Sequence, residues 1–185
     1  MLNNAIRGLI VVSVVLLAGC LPTLHPLATE QNSVFDPAFL GVWVQPGQST
    51  TWSVTHNGDR SYRIVHSDHS NPPGQFIGRL TRVKDTLFLD LKPDEATHRR
   101  NSIERIHTIA THTLYRVELK ENELVIFAID FDKFKPFLDE HPEEVPSVKW
   151  GDRMLITAST SQLVDFVGEQ EAMFSHPMKL MREFR

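Results

Sequence analysis

Beyond residue 38 the chain alternates apolar and polar residues in short runs, and that period of two places it in the β class. Residues 40–44 form the first run. Residues 51–55 and 61–66 flank His56-Asn57-Gly58-Asp59, where Asn-Gly supplies the positive φ angles of a tight hairpin. Residues 75–83 and 86–91 are joined by Lys84-Asp85, and residues 108–119 and 123–129 by Lys120-Glu121-Asn122, which predicts two further hairpins. Leu87, Leu89 and Leu91 share one face of their strand, with Phe88 and Asp90 on the other, so this strand is expected to line a core. Residues 92–105 are polar and charged and read as a loop or a short irregular helix.

The period changes in the last third. Asp132 is placed to cap a helix bearing Phe134, Phe137 and Leu138, with Pro136 tolerated in its first turn and His141-Pro142 ending it. Residues 153–158 read as a strand. Ser159 and Gln162 then have the spacing of a capping box, ahead of a helix with Leu163, Phe166 and Val167 on its apolar face. His176-Pro177 breaks that pattern, and residues 177–184 read as a closing strand. The expected class is mainly β with α+β character: an antiparallel β-meander or a partly closed barrel, with two short helices packed near the C-terminus.

The densest apolar block stands outside this pattern. Residues 9–18 carry no charge and follow Arg7, but they fall short of the roughly 20 apolar residues needed to cross a bilayer, so they read as a signal peptide. The block ends in Leu17-Ala18-Gly19-Cys20, which resembles the lipobox of bacterial lipoproteins. The resemblance implies that residues 1–19 are a signal peptide that is cleaved, and that Cys20 becomes the acylated first residue. Two or more acyl chains give stable anchoring where one gives only marginal binding. Leu21 stands where such lipoproteins carry an inner-membrane retention aspartate, which implies the outer membrane, facing the periplasm. Residues 20–38, with Pro22, Pro26 and Pro37, are expected to form a lipidated tether, and residues 39–185 the β-rich globular domain.

Composition narrows the function. The 185 residues are 41% hydrophobic, which suits one domain, and 19 basic against 23 acidic residues argue against nucleic-acid binding. The single cysteine excludes a disulfide framework and a cysteine-rich zinc module. Removing residues 1–19 takes away Arg7 and no acid, leaving 18 basic and 23 acidic residues and a net charge of −5. An acidic body leaves the acyl chains on Cys20, and not a basic patch, to hold it on the membrane.

Gly41-x-Trp43 on the first strand, with Arg182 on the last, resembles the signature of lipocalins and related calycin barrels. That resemblance implies a barrel closed by Arg182 lying over Trp43, with Gly41 allowing close approach, and an interior able to take a small apolar or lipid-like ligand. Within the aromatic stripe Trp52, Tyr62, Phe76, Phe88 and Phe127, the residues Trp52, Tyr62, Phe76 and Phe127 are the candidates to line such a cavity. The chain also resembles a group of small, poorly characterised bacterial lipoproteins, through His25-Pro26-Leu27, residues 36–43 and residues 155–160. Two apparent helices near the C-terminus depart from the one helix that follows a lipocalin barrel.

Catalytic and metal signatures are not assembled. His66 and His69, like His107 and His112, differ by odd numbers, which sends two rings on one strand to opposite faces. The sequence has no Gly-x-Ser-x-Gly, no His-Glu-x-x-His and no phosphate-cradling glycine loop. Ser159-Thr160-Ser161 is better explained by helix capping than by nucleophilic catalysis. The expectation is a non-catalytic envelope lipoprotein without cofactor or metal, binding a small apolar ligand. The alternative is a structural or protein-interaction lipoprotein with a filled core, touching an envelope protein.

Overall fold

The computed structural model describes residues 21–68, 71–96, 103, 107–151 and 153–184. Two short strands come first, β1 (Pro22–Thr23) and β2 (Ser33–Val34), followed by a 3-10 turn at Pro37–Phe39. A run of seven strands follows: β3 (Gly41–Val44), β4 (Thr51–His56), β5 (Ser61–Ser67), β6 (Gly74–Val83), β7 (Thr86–Pro93), β8 (His112–Leu119) and β9 (Glu123–Ile129). Helix α1 (Phe131–Glu140), the hairpin β10 (Ser147–Trp150) and β11 (Arg153–Ile156), helix α2 (Thr160–Glu169) and strand β12 (Phe174–Arg182) complete the order.

Strands β3 to β9 pair in sequence, antiparallel throughout, and β12 bridges β9 back to β3. The result is a closed eight-stranded barrel. Eight strands enclose an interior about wide enough for side chains to fill. Inside, Trp43, Val54, Tyr62, Ile64, Leu80, Leu89, Val117, Leu124, Ile126 and Leu180 form one buried cluster, to which every barrel strand contributes. Period-two alternation sends Phe88, Leu114 and Ile129 to the outer wall, where they meet Phe134 and Leu138 of α1 and Leu163, Phe166 and Val167 of α2. Two cores therefore share one wall.

That wall explains β7. Its leucines fill the barrel, as expected, but its other face is also buried, because Phe88 and Asp90 lie beneath the outer layer.

Strand β8 divides its partners. Its second half pairs with β9 and its first half with β1, which is parallel to β11, so β1, β11 and β10 form a spur off the barrel. Strand β2 pairs with β6 at Leu80 and Thr81, just beyond the point where β5 starts.

Several elements differ from the sequence expectation. The stretch read as a tether is packed onto the wall: Leu21, Leu27 and Ala28 are buried, and β1 and β2 are hydrogen-bonded into the sheet. Its prolines fix its path without freeing it. Helix α1 is capped by Asp130, which accepts from the Asp132 backbone N–H at 3.1 Å, so it begins before Asp132. Pro136 consequently lies inside the helix and not in its first turn. Both it and Asp132, whose carbonyl loses the i+4 donor, are exposed to water, which makes the interruption tolerable. Strand β10, read as part of a loop, forms by pairing with β11. His176 and Pro177 fall within β12, at a register shift where the strand has β9 on one side and does not yet pair with β3; Pro is admitted at such an edge. The capping box on α2 forms as its spacing predicts.

Candidate functional site

The two ends of the barrel are built differently. At one end β3 begins, β12 finishes and the β4–β5, β6–β7 and β8–β9 turns gather. The closing register sets Arg182 opposite Trp43, with its guanidinium carbon 4.2 Å from the indole centroid. The same guanidinium donates to the carbonyls of Leu40 (2.6 Å), Ala38 (2.5 Å) and Glu121 (3.0 Å). Gly41, at φ 132°, is required here, since a Cβ would stand 2.6 Å from Arg182 Nη1. Trp43 Nε1 donates to Phe39 O at 3.0 Å, and Phe39 packs edge-on to Tyr62. This end is plugged.

Tyr62 belongs to the plug. Its hydroxyl accepts from Asp36 N at 2.6 Å and donates to Asp36 O, and burial pushes its ionisation above the ordinary tyrosine value. It fastens the turn before β3, and is not placed as a cavity-lining residue. Phe127 is also elsewhere, on the outer wall with Arg116 stacked 3.6 Å from its centroid, because its neighbour Ile126 takes the inner face.

At the opposite end, Trp52 near the start of β4, His66 near the end of β5 and Phe76 near the start of β6 come together across adjacent strands. Trp52 stands opposite His66, whose ring meets the indole edge-on at 5.5 Å. The Phe76 ring folds back over Gly74, where a Cβ would come within 2.7 Å of it. Burial grades along the barrel: Trp43, Tyr62, Leu80 and Leu124 are inaccessible, whereas His66, Phe76, Tyr115 and Met178 are partly exposed. Trp52 is 6% exposed, and its Nε1 donor has no hydrogen-bond partner among the described residues. Burial lowers the His66 pKa, with Asp68 acting against it, so the ring is neutral at pH 7. Among the described residues, the Trp52, His66 and Phe76 side chains that meet at this mouth are aromatic, with Asp68 close enough to act on His66, and Trp52 Nε1 is an unspent donor.

A polar cluster that the sequence reading missed sits on the outer wall. Asp90, 3% exposed, accepts from Leu27 N (2.7 Å) and Ala28 N (3.0 Å), and its other oxygen lies 2.6 Å from His112 Nδ1. The carboxylate clasps the N-terminal strap. A charged residue centred in an otherwise apolar strand was the available signal. At the plugged end a cleft of about 320 Å³ is lined by Arg82, Asp85, Arg116, Lys120 and Glu171 among others, with Arg116 paired to Glu118 and Glu171. Its mixed charges favour neither an anion nor an apolar body. Among the described residues no group of three or more His, Cys, Asp or Glu side chains converges as a metal site.

Geometry defines the class as a closed antiparallel eight-stranded barrel with an external helical layer. No family model, curated protein or solved structure matches the chain.

Proposed function

We propose that the chain is an envelope lipoprotein, acylated at Cys20 and anchored to the outer membrane facing the periplasm, whose barrel is a non-catalytic binding module. The ligand is a small apolar molecule carrying a hydrogen-bond acceptor, held at the mouth by Trp52, His66 and Phe76. Leu17, Ala18, Gly19 and Cys20 lie outside the described residues, and the anchoring reading rests on their lipobox pattern. The binding reading rests on Trp52 Nε1. A buried donor without a partner costs about 1–3 kcal/mol, and a ligand acceptor would recover that cost.

Replacing Trp52 with Phe separates donor from ring. Native mass spectrometry of the delipidated protein from its own host should find a retained small molecule, and Trp52→Phe should weaken its retention by roughly five- to tenfold. The same variant should leave the ligand-free melting temperature unchanged or raise it. Equal retention by both proteins sinks the assigned role. A second reading, an interaction protein with a filled core, is favoured by the inner cluster drawn from all eight strands. It predicts no retained molecule in either protein.

A further inference from the structure

The spur has one edge that is unpaired among the described residues, and this edge lies close to Leu21. Among those residues β10 pairs with β11 alone, and Val148 (49% exposed), Lys149, Gly151 and Arg153 are open to solvent around their turn. Val148 and Leu155 share the face turned from the core, while Met154 and Ile156 pack into the outer core. A lysine on an edge strand discourages edge pairing, but that does not account for an exposed valine beside it.

Direction is the second observation. β1 runs parallel to β11, with Thr23 opposite Ile156, so the chain reaching Leu21 arrives from the side where β11 starts, the side of the β10–β11 turn. Leu21 is itself buried, and Cys20 is bonded directly to it. An anchor attached there has no free tether behind it and must hold this side of the molecule against the bilayer.

Charge fits the same arrangement. A mature chain of net charge −5 is repelled by anionic headgroups, whereas residues 147–153 of the sequence hold two bases, Lys149 and Arg153, to one acid. The acidic residues Asp139, Glu140, Glu143 and Glu144 precede the other end of β10. We infer that the β10–β11 hairpin is a second membrane contact, lying on the interface of an anionic bilayer beside the acylated Cys20 and fixing the barrel's orientation. The inference rests on the lipoprotein reading above.

Bromolipid quenching tests it on the full-length, acylated chain in vesicles of phosphatidylethanolamine with a minor share of phosphatidylglycerol. A fluorescent amino acid is placed at Val148 or, in a separate protein, at Asp59 in the β4–β5 turn. Quenching at 148 should exceed that at 59 by roughly fivefold, and Lys149→Glu with Arg153→Glu should reduce it to the level at 59. Both charges are on exposed side chains, so unchanged melting checks that the variant folds. Equal quenching at 148 and 59 on acylated, vesicle-bound protein overturns the hairpin contact and leaves the anchor standing. The mass of the mature N-terminal peptide reads the anchor separately, and an unmodified Cys20 overturns both.

Discussion

Arg182 performs three tasks through one planar group: it stacks on Trp43, caps the carbonyls of Ala38 and Leu40 at the start of β3, and ties Glu121 of the β8–β9 turn. Lysine can place a charge there but has neither the plane nor the fork. Arg182→Lys should therefore lose about 1–3 kcal/mol in urea unfolding, close to the loss for Arg182→Ala; a lysine variant with wild-type stability would show that charge alone suffices. Trp43→Ala, which empties a fully buried indole site, should cost more, about 3–5 kcal/mol. Much of this end was legible in the sequence, because Gly41, Trp43 and Arg182 are chemically unusual and their spacing puts them on the first and last barrel strands. Tyr62 was legible as buried but not as a fastener, since its partner is the backbone of Asp36 and backbone groups leave no mark in a residue string.

At the scale of elements, local signals were read correctly and distant ones were not. Ser159 and Gln162 cap α2 within four residues, and the β4–β5 turn falls where Asn57-Gly58 marks it, although its positive φ angles lie on Gly58, Asp59 and Arg60 and not on Asn57. The strap's packing is different in kind. It is set by Asp90, more than sixty residues away, and by Thr160, whose hydroxyl donates to Pro26 O at 2.7 Å. Proline content suggested a tether; tertiary hydrogen bonds decided otherwise. Asp90→Asn substitutes an amide for a buried carboxylate that receives two backbone N–H groups, and should cost about 1.5–3 kcal/mol. Hydrogen exchange should place the damage: the Leu27 and Ala28 amides become labile while barrel amides such as Leu89 keep most of their protection. Uniform loosening of both would show that the strap and barrel unfold together and that Asp90 is no local clasp.

The whole molecule depends on the junction between its inner barrel and its outer layer, and Asp130 stands there at the exit of β9. It caps α1 through the Asp132 N–H, accepts from Ser175 Oγ at 2.8 Å on β12, and faces Lys133 Nζ at 3.5 Å and His176 Nε2 at 3.6 Å. These donors, led by Ser175, hold its carboxyl below the ordinary aspartate range against a smaller effect of burial. A carboxylate that is more acidic folded than unfolded adds stability that is complete above its unfolded value, about pH 3.9, and is lost as pH falls through its folded one. Glu123, lowered by Lys179 and Lys120, works in the same direction at the other end of β9. Acid should thus release the seam joining β9, α1 and β12 in addition to weakening the fold generally. Melting curves from pH 7 to about pH 3 should show the wild type losing stability more steeply than Asp130→Asn over the acidic part of that range. The variant begins lower at neutral pH, because it has already lost the charged cap and the ionic contact of Lys133, so the two curves should converge as pH falls. Curves that remain parallel throughout would mean that Asp130 is no more acidic in the native protein than in the unfolded chain, and that the junction is held by the apolar packing of Ile129, Phe134 and Phe174 alone.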